Sequence, residues 1–267
     1  MINQKDIAEA LGRLGVKRGD TCVFHSSYKS LGPVEGGAAA VIQGFEAALG
    51  AEGTLVAPTL CSKDFFECYN NWHLNKPSEV GYLTEFFRQQ AGVLRSDQAT
   101  HSVAARGRLA YDLTHEHTAY GPHLCPFGEY AFADSSPWMK MHRQNAKVVF
   151  VGVSMKYHTM KHMVESAFAE HLLAQMPDPA LRAAQKAKLQ TFKNRWEGVW
   201  LYYNGEAMQQ YLEEQGLVAK NRCGEATLLC ISAKEANDAA LQALIRAPER
   251  WYKDASLQWI QDCKKTV

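Results

Sequence analysis

Thr159-Met160-Lys161-His162-Met163-Val164-Glu165 sets a histidine three residues before a glutamate. On a helix, positions three apart share a face, so the two side chains can meet. An imidazole oriented by a carboxylate can take up a proton near neutral pH. The same spacing also occurs as an ordinary surface pair. A second candidate is the run from His25-Ser26-Ser27-Tyr28-Lys29-Ser30-Leu31-Gly32 to Gly36-Gly37. Hydroxyls, a lysine and glycines before a helix suit a phosphate, because free N–H groups and the positive dipole end face it. No Gly-Lys-Ser/Thr closes the run and it is not GxGxxG, so a plain glycine-rich turn competes with anion binding. A third segment, Arg95-Ser96 through His101-Ser102 to Gly107, mixes hydroxyls, a histidine and arginines with small residues that let a ligand approach the backbone. A polar loop is the alternative there. Asp112, His115, His117 and His123 raise a metal-dependent hydrolase, since HxH puts two imidazoles on one side of an extended chain. Thr114, Glu116, Thr118 and Gly121-Pro122 read instead as a solvated loop, and no metal is expected.

The elements that must carry these groups follow from periodicity. Helical spacing covers 5–15 and stops at Gly15; an apolar strand follows at 21–25, then the polar loop 26–37. A helix over 38–49 closes at Gly50 and leads to a strand at 53–59. Strand, helix, strand is a βαβ unit, with parallel pairing and a right-handed crossover. The stretch 60–80 is irregular and long enough to be lid-like or functional. A helix is expected at 81–90. The run 147–153 is the clearest buried strand, and the helix holding His162 spans about 159–173. At the carboxyl end of a strand, that helix lies where α/β proteins hold ligands. Between Arg182 and Arg195 there are five basic residues and no acidic one, read as a solvated helix face or a phosphate contact. A strand over 226–231 is followed by Ser232 and Glu235, a capping box for a helix ending before Pro248. The expected fold class is α/β, three layers α/β/α around a central mixed sheet, with helices on both faces and a smaller helical or loop embellishment. One domain is expected over 1–267, with 176–222 a variable helical region.

Composition narrows the function. The chain has 267 residues, 46% hydrophobic and 21% charged, which is globular. Lys+Arg of 29 against Asp+Glu of 28 gives a net charge of +1. That balance argues against a nucleic-acid binder and, more gently, against a site dedicated to polycations. Seven scattered cysteines without CxxC form no disulfide framework or zinc knuckle. No apolar run approaches the ~18 residues of a membrane span, and the start has no signal-peptide pattern. A soluble cytoplasmic protein is expected.

Taken in order, these segments resemble the aminoglycoside 3-N-acetyltransferase family. His25-Ser26-Ser27 through Gly32 and Gly36-Gly37, then Gly53-Thr54-Leu55 with Pro58-Thr59, is similar to its opening. Arg95-Ser96 and His101-Ser102-Val103-Ala104-Ala105 with Gly107 resemble its middle. Pro126-Phe127-Gly128, Ser136-Pro137, Gly152-Val153 and Thr159-x-x-His162-x-x-Glu165 continue it, so that about 5–175 is covered. The resemblance implies direct acetyl transfer from acetyl-coenzyme A to a primary amine of an aminoglycoside or related amino sugar, in a ternary complex. It implies His162 as base and Glu165 as its partner, and a coenzyme site drawn from His25, Ser26, Ser27, Ser30, Leu31, Gly32, Arg95, Ser96, His101 and Ser102. Asp64 and Thr159 would meet the acceptor, and Ser102 is a candidate oxyanion donor. Coenzyme A and a small amino sugar are the expected partners, with no nucleic acid or membrane, for a monomer or homodimer. Two features depart from the family: Gln98-Ala99 stands where a His-Pro pair is common, and the basic run follows 175. Both point to an alternative acceptor, an anionic or nucleotide-linked amino sugar.

Overall fold

The computed structural model describes residues 1–61, 65–189 and 198–265. Its centre is a seven-stranded sheet: β1 (Thr21–Ser26), β2 (Thr54–Pro58), β3 (Leu94–Arg95), β4 (Val103–Gly107), β5 (Lys147–Val151), β6 (Ala219–Cys223) and β7 (Ala226–Ser232), in the order β3-β4-β2-β1-β5-β7-β6. β2, β1 and β5 run parallel, and the outer pairings are antiparallel. The sheet is therefore mixed.

Alternation along the strands sorts side chains into two cores. Cys22 and Phe24 of β1, Leu55 and Ala57 of β2 and Val149 and Val151 of β5 face one side. There they pack against Ile7 and Leu11 of helix Gln4–Arg13 and Val41 and Phe45 of helix Gly37–Leu49. Val23, Val56, Val148 and Phe150 face the opposite side and meet Trp138, Val164 and Phe168. Helices cover both faces, giving the three layers. Because every central strand is buried on both sides, the strands read as continuous apolar runs. Among the described residues, no helix is long and apolar enough to cross a membrane.

Several local expectations change. The strand at 147–153 ends at Val151, because Gly152 takes φ +62 and a Cβ there would stand 1.7 Å from Ser30 Oγ. The stretch 60–80 contains a short helix, Phe65–Asn70. Ser232 is the N-cap of helix Ala233–Arg246, yet its hydroxyl makes no capping bond. Instead it accepts from Lys147 Nζ at 3.0 Å. Asn145 Oδ1 accepts the amides of Lys234 and Glu235, and Asn145 Nδ2 donates to Glu235 Oε1. A residue ninety positions upstream replaces the capping box. Within 176–222 lie helices Pro179–Ala187 and Gly205–Glu214 and the edge strand β6. Helix Pro179–Ala187 buries no residue, and the rest of the basic run, 190–197, lies outside the described residues.

Candidate active site

Helix Lys161–Gln175 begins ten residues after β5 ends, and His162 and Glu165 occupy its first turns. Their spacing brings His162 Nδ1 to 2.7 Å from Glu165 Oε2. The glutamate is fully buried and the histidine side chain is 14% exposed. With Nδ1–H donating to the carboxylate, Nε2 keeps its lone pair. Phe127 stands edge-on to the imidazole at 4.7 Å between centroids, with Tyr202 at 5.8 Å and Phe132 and His101 at 6.0 Å. This apolar wall strips water from the pair. Burial, reinforced by Lys161, holds the imidazole well below its ordinary proton affinity. Burial pushes the Glu165 carboxyl up to about 8, opposed by Lys161, the Trp200 indole and the Tyr203 main chain.

Beside the dyad lies a cavity of ≈630 Å³ above the carboxyl ends of the parallel strands. β1 contributes His25, Ser26 and Ser27, the end of β2 gives Pro58 and Leu60, and Val153 follows β5. Strand order reverses direction at β1, which is where open α/β sheets leave a crevice. Thr159 lines this cavity, and its carbonyl accepts the His162 amide at 3.3 Å. A second cavity, ≈570 Å³, has Tyr69, Trp72, Tyr130, Asp97 and Glu129 in its wall, and among the described residues no lysine or arginine lines it. Its Cys125 and Gly128 flank the segment of Phe127, the ring nearest His162 among the described residues. The imidazole thus stands between the neighbourhoods of two cavities.

The residues anticipated for the coenzyme divide in two. His25, Ser26 and Ser27 line the first cavity. Ser30 turns away, its hydroxyl donating to Ser27 O at 2.6 Å, and Leu31 is buried in the core. Gly32 turns at φ +72 against Glu225. The middle segment forms support rather than lining of that cavity. Arg95 donates to Thr59 O at 2.8 Å, Leu74 O at 2.8 Å and Lys76 O, and its guanidinium lies 4.7 Å from the Trp72 ring. Ser96 accepts the Val103 amide and meets His117 Nδ1, both at 2.9 Å. His101 is 2% exposed, with Nδ1 on Thr100 Oγ1. Ser102 is fully buried and donates to Thr59 O at 2.9 Å, which leaves its hydroxyl spent as an oxyanion donor. Asp64 lies outside the described residues. The would-be metal ligands are dispersed: His117 is buried between Ser96 and Ala131, His115 is exposed against Tyr111, and His123 binds Glu170. Among the described residues, no group of three or more His, Cys, Asp or Glu is gathered for a metal.

A model of the aminoglycoside 3-N-acetyltransferase family matches residues 23–245. The chain belongs to this family. Aminoglycoside N(3)-acetyltransferase III of Salmonella is 30% identical over 183 residues, covering 62% of this chain and 61% of that enzyme. The prophage-derived N(3')-acetyltransferase-like protein YokD of Bacillus subtilis is 26% identical over 183 residues, covering 61% of this chain and 64% of that protein. The chain therefore matches less than two thirds of these relatives' length. Among solved structures, the apoenzyme of aminoglycoside acetyltransferase AAC(3)-IVa superposes with a TM-score of 0.70 at 20% identity, covering 100% of this chain and 98% of that one. AAC-IIIb, solved with CoASH, gives 0.69 at 16% identity, covering 94% and 98%. At these identities the superpositions show the shared fold.

The family match runs past 175, and so does the site of this acetyltransferase-family chain. Trp200 Nε1 donates to Glu165 Oε2 at 3.2 Å, and Trp200 is 4% exposed. Tyr202 faces His162 from the same segment. No motif in the local sequence marks either residue. A weak signal is the aromatic cluster Trp200, Tyr202 and Tyr203 directly after a basic, polar stretch.

Proposed function

We propose that this chain transfers an acetyl group from acetyl-coenzyme A to an amine of an aminoglycoside or related amino sugar, with His162 as general base. One observation carries the reading: Thr159 belongs both to the cavity over the strand ends and to the turn that leads into His162. A thioester in that cavity and an amine in the second would then meet at the imidazole. Family membership supports the donor and the acceptor class, as do a relative solved with CoASH and one solved with a gentamicin.

The chemistry needs few groups. An ammonium has no lone pair, so the acceptor reacts as the free amine, having given its first proton to bulk water. Nε2 of His162 takes a proton as the N–C bond forms, and Glu165 stabilises the charge gained. The C–S bond then breaks, and the departing thiolate recovers that proton from the imidazolium. No covalent enzyme intermediate is required. Asp97 and Glu129, with the rings of Tyr69, Trp72 and Tyr130, offer carboxylates and apolar faces to an amino sugar. This wall favours a cationic acceptor over a nucleotide-linked one.

Thiol release from acetyl-coenzyme A, measured across aminoglycosides, neutral amino sugars and nucleotide-linked amino sugars, tests the proposal. Turnover with polyamino sugars is expected. Turnover confined to nucleotide-linked acceptors, or absent with all, contradicts it.

A further inference from the structure

Within the cavity over the parallel strands, His25 and Thr159 are each 6% exposed, whereas two of its tyrosines stand open, Tyr82 at 61% and Tyr157 at 59%. Tyr157 has Lys156 beside it, and Tyr82 is the one set among other aromatic rings. Tyr82 is an unusual side chain to leave open, because it is not isolated. Its ring stands 5.3 Å from Tyr28 at 54° and 6.2 Å from Phe86 at 38°. Two rings thus brace it while most of its surface meets solvent. Lys29, next to Tyr28 in sequence, lines the same cavity, is exposed, and makes no ion pair among the described residues.

We propose that Tyr82, braced by Tyr28, is the platform for the adenine of the acyl donor, and that Lys29 meets its 3′-phosphate. The assignment rests on the reading that coenzyme A is the donor. Polarity within the cavity supports it. The thioester must lie at the buried end, since Thr159 leads directly into the base. The nucleotide, forming the other end of the same molecule, must then emerge where the cavity opens. A braced, solvent-facing aromatic ring stacks on any base through its π-face, and an unpaired lysine is a point charge suited to a phosphate monoester.

Calorimetry on the full chain with four probes tests it: coenzyme A, 3′-dephospho-coenzyme A, adenosine 3′,5′-bisphosphate and pantetheine. Tyr82→Ala is expected to weaken coenzyme A and the bisphosphate by about 10-fold, the range for losing one stacked base, and to leave pantetheine unchanged. Tyr82→Phe keeps the ring and should bind as wild type. Lys29→Met should abolish most of the preference for coenzyme A over its dephospho form. Coenzyme A binding to Tyr82→Ala at wild-type affinity overturns the assignment, as does an equal loss for pantetheine. Wild-type protein that binds neither coenzyme A nor pantetheine overturns the donor reading as well.

Discussion

Moving a proton onto an imidazole enclosed by Phe127, Phe132 and Tyr202 creates a cation with little water to solvate it. Glu165 is what makes that step possible, because a buried carboxylate at 2.7 Å gains a counter-ion in the same event. A protonated Glu165 would donate to Nδ1 and leave the imidazole hydrogen on Nε2, so the base form, with Nδ1–H on a carboxylate, appears only as the carboxyl's proton leaves. Activity should rise with pH through the neutral-to-alkaline range, in line with a Glu165 carboxyl pushed up to about 8 by burial. Glu165→Gln should cut turnover and flatten this rise. Stability should move the other way. The carboxyl's folded proton affinity lies above its unfolded one, about 4.3, so its contribution is complete below that pH and lost as pH climbs through 8. The melting temperature of the wild type should accordingly fall more steeply between pH 5 and 9 than that of Glu165→Gln; parallel curves would show that the carboxyl is not held up by burial. Trp200 acts through Glu165 and is a positioning residue. Trp200→Phe keeps the ring but removes the donor, so the midpoint of the pH–rate profile should shift to higher pH while coenzyme affinity is unmoved.

Two loops outside the dyad decide whether the elements hold their places. Asn145 sits at φ +51 and caps a helix ninety residues away with its own side chain. Asn145→Ala loses the cap, at about 1 kcal/mol, and also places a Cβ residue other than Asn or Gly at positive φ. Asn145→Gly loses only the cap, and chemical denaturation should find it the less damaged of the two. Gly152 follows β5 where the 26–32 loop crosses it, with Ser30 Oγ only 1.7 Å from any added Cβ. Gly152→Ala should therefore unseat the 26–32 loop and abolish coenzyme binding, and adding Ser30→Gly should restore part of it. The sequence foretold these elements unevenly. β1, β2 and β5 were visible because strands buried on both faces are unbroken apolar runs. β4, Val-Ala-Ala-Arg-Gly, carries too little bulk to stand out from a loop. The capping box at Ser232 matched a local pattern that a distant side chain displaced.

Across the molecule, the distribution of charge matters more than its sum. A net charge of +1 gives no long-range pull on a polycation, and among the described residues of the second cavity the negative charge is that of Asp97 and Glu129. Glu129→Gln should raise KM for polyamino acceptors several-fold with kcat preserved. The wild-type KM should rise with salt as these exposed carboxylates are screened, and the variant's should rise less. An unchanged KM would place the acceptor elsewhere. His162 and Glu165 were legible because their whole relationship lies within one helical turn. The support from Arg95, Ser96, His101 and Ser102 was not, since polar residues look alike in sequence whether they face a ligand or, as here, stitch β3 and the entry to β4 to the Thr59 and Trp72 segments. Trp200 was hidden for the same reason: its partner is thirty-five residues away.

The role of His162 is the claim on which the rest depends, and His162→Ala tests it most directly, with steady-state turnover and calorimetric coenzyme affinity measured on the same preparation. Loss of a general base predicts a fall in turnover on the order of 10²–10⁴-fold with coenzyme affinity unchanged. Turnover at the wild-type rate would contradict the account.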